Sequence, residues 1–263
     1  MKQTQAMGSV MDNTFVFLGP TLPVKVARGI LPATYLPPVC AGELCRLVVE
    51  RRPHTVVIID GLFERVPAIW HKEILFALER GVRVFGSSSM GALRAAELRD
   101  YGMVGVGEVY RAFASGQLCD DDEVAVVHAP AEQGFAVISE AMVNIRHGLS
   151  AAVAHDVLSV DSAERLLALA KQMFYPDRCW AALEKLGLQH GLPSAELAAL
   201  RAFVVDTQPN IKRDDALAVL RLLADAQALP VTTATSLSFE RTSHFQRLMA
   251  AVAPSAALAS GRG

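Results

Sequence analysis

The sequence predicts an α/β protein, with an N-terminal parallel-sheet layer followed by a mostly α-helical C-terminal part. Short β-branched or aromatic runs alternate with helical stretches before residue 100. Residues 55–59 are all β-branched, which is typical of a central parallel strand buried on both faces. Helical periodicity dominates from residue 133 onward. We therefore expect an α/β core over residues 14–150 and a helical part over residues 151–263.

The composition is that of a globular protein, because 52% of the 263 residues are hydrophobic and 20% are charged. A net charge of −2 offers no broad basic surface, so nucleic acid is not an expected partner. The four cysteines include no CxxC pair, which argues against structural zinc and is typical of a reducing compartment. No signal peptide and no apolar run of about 18 residues is present, so we expect a cytoplasmic protein with no membrane partner.

The predicted elements follow from local patterns of apolar residues and of turn residues. Strands are expected at 14–18, 33–36, 55–59 and 82–85, and the glycine-rich run 101–107 is ambiguous. Helices are expected at 42–51, 67–80, 108–115, 133–146, 160–171, 176–189, 194–203, 212–226 and 236–251. Neither a Rossmann glycine motif nor a Walker motif is present, so no cofactor is predicted.

Three consecutive serines lie between the predicted strand 82–85 and a run of helix-forming residues. The pattern Ser87-x-Ser89-x-Gly91 has the shape of the nucleophile elbow of hydrolases, with a serine in place of the first glycine. The amide of Met90 then lies at a helix N-terminus, where it can hold an oxyanion. Two alternatives remain open, since serine is also an ordinary N-cap and helix N-termini attract phosphate.

Two further residues follow predicted strands directly. Gly19 opens a Gly-Pro turn after the first strand, and Asp60 follows the strand at 55–59. The carboxyl ends of parallel strands share one edge of the sheet, so we expect Gly19, Asp60 and Ser89 to border one pocket. Both positions are also compatible with plain turns.

An acidic run, Asp120-Asp121-Asp122-Glu123, precedes an apolar segment. These carboxylates can bind a metal ion or stabilise a helix N-terminus, and the spacing does not match an EF-hand loop. We favour the helix-terminus interpretation and predict no metal site.

Six motifs in fixed order resemble the TfuA-like core domain, over about residues 14–150. They are Gly19-Pro20-Thr21-Leu22-Pro23, Ile59-Asp60-Gly61-x-Phe63, Trp70-His71-Lys72-Glu73-Ile74-Leu75, the segment from Ser89 to Glu97, Gly102-Met103-Val104-Gly105 and Asp121-Asp122-Glu123-Val124-Ala125. The resemblance implies a partner of YcaO enzymes, which convert backbone amides of peptides into thioamides. It also implies hydrolysis of the thiocarboxylate of a ThiS-like sulfur carrier, which releases sulfide.

The resemblance implies a serine and lysine pair at Ser89 and Lys72, with Ser87 and Ser88 as alternatives for the nucleophile. Amides of Met90 and Gly91 would hold the oxyanion, and Arg94 would orient the anionic substrate. A lysine serves as a base only when neutral, and a lysine at the rim of an apolar helix face more often extends its amine to solvent.

The expected partners are the YcaO enzyme, the carrier and, through YcaO, the peptide substrate. A non-catalytic adaptor that holds these partners together is the main alternative, and phosphate or nucleotide binding is a third. The sequence leaves open whether the protein forms a homodimer.

Overall fold

The computed structural model describes residues 13–62, 66–225 and 238–252. A five-stranded sheet has the order β2-β1-β3-β4-β5, and every neighbouring pair is parallel. The strands are β1 (Thr14–Phe17), β2 (Thr34–Leu36), β3 (Thr55–Ile58), β4 (Arg83–Ser87) and β5 (Val104–Val106). The predicted class is confirmed, and the β-branched strand β3 is central and buried along its whole length.

Eleven α-helices accompany the sheet within the described ranges. They are α1 (Val24–Arg28), α2 (Glu43–Arg51), α3 (His71–Glu79), α4 (Met90–Leu98), α5 (Glu108–Ala114), α6 (Met142–Ala154), α7 (Val160–Gln172), α8 (Trp180–Gln189), α9 (Ser194–Thr207), α10 (Ile211–Ala224) and α11 (Ser243–Val252). None of the helices in this part of the chain is long and apolar enough to cross a membrane.

Helices from both ends of the chain cover the two faces of the sheet. One face packs against α2, α3, α4 and α11, with Phe76 and Phe245 in the shared core. The other face packs against α1 and α10, whose buried residues include Val219 and Leu220. Helices α6 to α9 bury a separate apolar cluster of their own. The division at residue 150 stays a prediction, and α10 and α11 both contact the sheet layer.

Four helix starts differ from the sequence prediction by four residues or more, and two of them are α8, which begins at Trp180 rather than at residue 176, and α11, which begins at Ser243 rather than at residue 236. Helix α3 begins at His71 rather than at residue 67, because Glu73 accepts a hydrogen bond from the Trp70 amide at 3.1 Å. The helix predicted at 133–146 begins at Met142 instead. Gly134 and Phe135 both have positive φ there, which ends a single 3₁₀ turn and excludes a continuous helix. Residues 236–237 of the last predicted helix lie outside the described residues.

Two glycines let the start of α4 lie directly on the backbone of the sheet. A Cβ on Gly91 would lie 1.7 Å from the carbonyl oxygen of Ile58 in β3, and one on Gly86 would lie 2.1 Å from the carbonyl oxygen of Gly91. Neither contact involves a side chain that can move aside. The turn between β4 and α4 therefore depends on the absence of side chains at both positions.

We expect Gly91→Ala to lower the free energy of unfolding by at least about 3 kcal/mol, because the added methyl group must displace strand β3. The matched control is Gly29→Ala, where the backbone is helical and the nearest heavy atom to the added Cβ is 3.3 Å away. The control should change stability by less than about 1 kcal/mol. Denaturant unfolding measures both values, and equal effects of the two substitutions would contradict the prediction.

Candidate functional site

Asp60 organises the loop that follows β1. Its Oδ2 accepts hydrogen bonds from the amides of Gly19 at 2.9 Å and Thr21 at 3.1 Å, and its Oδ1 accepts one from the Thr21 hydroxyl at 2.6 Å. The carboxyl group is almost fully buried. Asp60 and Gly19 are thus in direct contact, and the carboxyl oxygens of Asp60 are already engaged with the loop.

The serine turn is strained at its central residue. The Ser89 amide donates to the Ser87 carbonyl at 2.8 Å, which closes a turn around Ser88. Ser88 has a φ of 68°, in the left-handed region that non-glycine residues rarely adopt. Its side chain is completely buried, and its hydroxyl group has no hydrogen-bond partner among the described residues.

The two neighbouring serines have different surroundings. The Ser87 hydroxyl lies 2.8 Å from the carbonyl oxygen of Val106 and 3.0 Å from that of Asp215, so it links β4 to β5 and to α10. Ser89 is the N-cap residue of α4, and its carbonyl oxygen accepts from Ala92. The Ser89 side chain makes no capping hydrogen bond, so capping by this hydroxyl does not explain the serine run.

The two amides predicted to hold an oxyanion are not equivalent. The Gly91 amide donates to the carbonyl oxygen of Ile59 at 3.3 Å, which occupies it. The Met90 amide is at the first position of α4 and donates to no acceptor in the described part of the chain. An unoccupied amide at a helix N-terminus is suited to an anionic oxygen.

Lys72 lies at the second position of α3 and faces the C-terminal segment. Its Nζ donates to the main-chain carbonyl of Glu240 at 2.6 Å, and the side chain is partly exposed. No hydrogen bond joins Lys72 to Ser89 within the described ranges. The pair of Ser89 and Lys72 stays a prediction, and the Lys72 amine is engaged with Glu240 in this structure.

Arg94 lies beside a cavity of about 380 Å³ at the start of α4. Its guanidinium donates to Glu97 at 2.6 Å and lies 3.4 Å from His71, while its buried Nε has no partner among the described residues. The lining residues come from the segment before α3, from α4, and from the acidic run with its two flanking residues: Ala68, Met90, Leu93, Arg94, Glu97, Cys119, Asp120, Asp121 and Val124. The volume is in the range of a small-ligand site.

The acidic run is held by cations of the protein. Lys171 lies within 3.0 Å of carboxyl oxygens of Asp120, Asp122 and Glu123. Three ligand-type oxygens of these residues do lie close enough together to hold a metal ion. Since the lysine ammonium already occupies that position, the arrangement favours a structural network over a metal centre.

Two arginines complete this network. Arg146 binds Glu123 through two hydrogen bonds of 2.9 Å, and the buried Arg178 binds Asp122 at 2.5 Å. Burial alone would lower the pKa of Lys171, but its hydrogen bonds to the three carboxylates raise that pKa above the usual range. The network fixes the loop that carries Val124.

Lys212 is a buried residue outside the predicted site. It lies at the second position of α10 and is 3% exposed, and its Nζ donates to the carbonyl oxygen of Val124 at 2.9 Å. Burial lowers the pKa of Lys212, against the opposing charges of Asp60 and Glu140. The sequence does contain a signal, because Lys212 shares one helical face with the buried residues Asp215, Ala216, Val219, Leu220 and Leu223.

The comparison with protein families agrees with the resemblance of the six sequence motifs to TfuA-like proteins. The model of the family described as TfuA-like protein matches residues 60–179. Over this range the chain is similar to TfuA-like proteins. The match includes the serine turn, Lys72, Arg94 and the acidic run, and it supports an association with YcaO enzymes and thioamidation. No curated protein matches the chain.

The strained turn at Ser88 gives a stability test. Ser88→Gly should be more stable than Ser88→Ala by about 1 kcal/mol, because glycine adopts a positive φ without a steric penalty and alanine does not. Position 115 is the control, since Ser115 has an ordinary φ of −85° at the end of α5. There Ser115→Gly should be no more stable than Ser115→Ala. The denaturant midpoints of the four variants measure these differences in stability. Equal stability of Ser88→Ala and Ser88→Gly would contradict a strained backbone at Ser88.

Proposed function

We propose that this protein works with a YcaO enzyme in peptide thioamidation and hydrolyses the C-terminal thiocarboxylate of a ThiS-like carrier protein. The net reaction consumes a thiocarboxylate and water and yields a carboxylate and hydrogen sulfide. A hydroxyl of the serine turn attacks the thiocarboxylate carbon, and water then cleaves the resulting acyl-enzyme. The family match supports the association with YcaO, and the turn supports the hydrolytic step.

The observation that carries this proposal is the strained serine turn at the N-terminus of α4. Ser88 places a buried hydroxyl without a partner at the carboxyl edge of the sheet, beside the unoccupied amide of Met90. A buried polar group without a partner lowers stability and so requires an explanation. A nucleophile next to an oxyanion donor is the arrangement that acyl transfer needs.

The adjoining cavity offers one cation, Arg94, to an anionic chain end, and the carboxylates Glu97, Asp120 and Asp121 line it as well. Met90 lies in its wall together with Arg94, whose Nε has an unused N–H group. A guanidinium recognises carboxylate-like groups through charge-assisted hydrogen bonds, and a thiocarboxylate is such a group. We infer that the C-terminus of the carrier enters here, with its anionic end toward α4.

The pair Ser89 and Lys72 remains one hypothesis for the chemistry. It requires the Lys72 amine to leave the carbonyl oxygen of Glu240 and to approach the start of α4. It also requires the Lys72 amine to be neutral, because a protonated lysine cannot accept the serine proton. The stretch 238–242 would then have to move when substrate binds.

The function is tested by mixing the purified protein with a thiocarboxylated carrier and measuring sulfide. The wild-type protein should release sulfide, and the double variant Ser88→Ala/Ser89→Ala should lose release by at least about 10³-fold, since both candidate hydroxyls are gone. Ser115→Ala is the matched control, because Ser115 is exposed and lies outside the site.

The adaptor alternative predicts a different result. If the double variant releases sulfide at the wild-type rate, the serine turn is not catalytic. A wild-type protein that releases no sulfide but still increases thioamide formation by YcaO would establish the adaptor function instead. Binding of each variant to YcaO, measured in parallel, shows whether the fold and the partner surface are intact.

Arg94 gives a second test of substrate placement. Arg94→Gln should raise KM for the carrier by about 10- to 100-fold, which corresponds to one lost charge-assisted hydrogen bond. Arg111→Gln is the control, since Arg111 pairs with Glu108 on an exposed helix surface. Steady-state sulfide release measures both. An unchanged KM in Arg94→Gln would show that Arg94 does not bind the carrier.

A further inference from the structure

We propose that the edge of the sheet opposite to the serine turn is a docking surface for an acidic segment of a partner protein. Four arginines form this surface, which we call the arginine edge: Arg51, Arg52, Arg80 and Arg83. They lie where β3 and β4 begin, whereas the serine turn follows the carboxyl end of β4. The inference goes beyond the proposed function and does not depend on the hydrolytic step.

The parallel topology brings the four arginines together. Helix α2 leads into β3 and helix α3 leads into β4, so both helices end at the edge where these two strands begin. Arg51 ends α2 and Arg80 directly follows α3, while Arg83 is the first residue of β4. The two helices contact each other, and the axes of packed helices lie about 8–10 Å apart. The four side chains therefore share one small area.

Aromatic rings fix two of the guanidinium groups without neutralising them. Arg51 lies over the ring of Phe15, at 5.5 Å from the ring centre. Arg80 lies over the ring of Phe76, at 4.7 Å from the ring centre. Stacking on a ring holds a guanidinium group in place and leaves the N–H groups at its edge free to bind a carboxylate.

The four arginines have no carboxylate partner within the described ranges, whereas nine other arginines there each pair with one. Glu79 directly precedes Arg80, yet its carboxylate pairs at 2.6 Å with Arg241, from the segment before α11. Glu50, in the last turn of α2, is the one exposed acidic neighbour in sequence. The arginine edge thus carries an excess of positive charge in a protein whose net charge is −2.

The helix dipoles account for only part of this arrangement. A cation in the last turn of a helix is stabilised by the dipole, and Arg51 lies in the last turn of α2. Arg52 follows that helix with a φ of 48°. Arg83 lies in a strand, where it donates one hydrogen bond to the Thr55 hydroxyl at 2.9 Å. The cluster therefore exceeds what the two helix ends require.

The chemistry of the arginine edge fits carboxylates on an extended segment. Guanidinium groups bind carboxylates through paired, charge-assisted hydrogen bonds. In an extended segment every second side chain points to the same side, at a spacing of about 7 Å. Acidic residues at alternate positions therefore match two packed helix ends, which are separated by about 8–10 Å.

A protein is a better match for this surface than a nucleic acid. The arginine edge covers two helix ends in a chain with a net negative charge, and nucleic acids are bound through many phosphates along a longer basic surface. The family match supports an association with YcaO enzymes, so a protein partner is expected. A partner at this edge leaves the cavity beside α4 open to the carrier.

The test titrates the full-length protein with a short fluorescein-labelled peptide of alternating glutamate and glycine, followed by fluorescence anisotropy at about 0.1 M salt. At that salt concentration, charges more than about 10 Å apart are largely screened. We expect Arg52→Gln/Arg80→Gln to raise the Kd of the peptide by at least about 10-fold, because two charge-assisted contacts are lost. Both residues are exposed, and circular dichroism establishes that the variant is folded.

The matched control is Arg165→Gln/Arg201→Gln, which removes the same charge from exposed arginines on α7 and α9. It should change the Kd by less than about 2-fold, since these helices belong to the separate cluster. A peptide of alternating glutamine and glycine should not bind. A photoreactive form of the glutamate peptide should label residues 50–54 and 79–83, as located by mass spectrometry.

Several results would overturn the docking surface. They are no saturable binding of the glutamate peptide, an equal loss of binding in the two double variants, and labelling confined to other residues. Duplex DNA and vesicles of anionic lipid are the competing probes. If either binds the arginine edge more tightly than the peptide and loses that binding in Arg52→Gln/Arg80→Gln, the partner is not an acidic protein.

Sulfide release separates this inference from the proposed function. Arg52→Gln/Arg80→Gln should release sulfide from the carrier at the wild-type rate, because the carrier enters at the opposite edge. Loss of sulfide release in this variant would contradict the separation of the two surfaces. A wild-type protein that binds the glutamate peptide at the arginine edge and releases no sulfide would refute the proposed function and leave the docking surface standing.

Discussion

The site depends on the direct contact between the start of α4 and the backbone of β3 and β4. Gly86 and Gly91 make this contact possible, since a Cβ at either position would overlap a carbonyl oxygen. With the helix held so close, the chain has only Ser88 and Ser89 in which to turn from strand to helix. The tight turn forces Ser88 to a positive φ and buries its hydroxyl. Close backbone packing and the strained serine are therefore two consequences of one constraint.

The second requirement is that distant parts of the chain return to this turn. Helix α10 follows the turn by more than a hundred residues, yet it packs on the sheet face formed by Val57, Ile59 and Phe85. The loop that carries Val124 is a third segment of the chain at this edge. Ion pairs of Lys171, Arg146 and Arg178 with the acidic run fix its position. The site is thus assembled from a strand end, a loop and a helix N-terminus, as is usual at the carboxyl edge of a parallel sheet.

Much of the fold could be read from the sequence, because buried parallel strands consist of β-branched residues and differ clearly from their flanks. The serine turn and Asp60 were predicted for the same reason, as residues that directly follow such strands. The start of α3 could not be read locally, since Glu73 fixes it by binding amides of Trp70 and the distant Gly42. The buried face of α10, with Lys212 on it, could be read from the helical pattern, but the contact of Lys212 with the carbonyl oxygen of Val124 could not, because that pattern contains no information about which loop packs over the helix.

The distribution of charge around Lys212 explains how a lysine can be kept inside this protein. A buried ammonium is usually compensated by a carboxylate of its own. Here Asp120, Asp122 and Glu123 are neutralised by Lys171 and its neighbouring arginines, although the next residue, Val124, contacts the Lys212 amine. Asp60 is likewise engaged by loop amides. The residue after the acidic run therefore gives the Lys212 amine a carbonyl oxygen instead of a counter-ion, which favours an uncharged amine at that position.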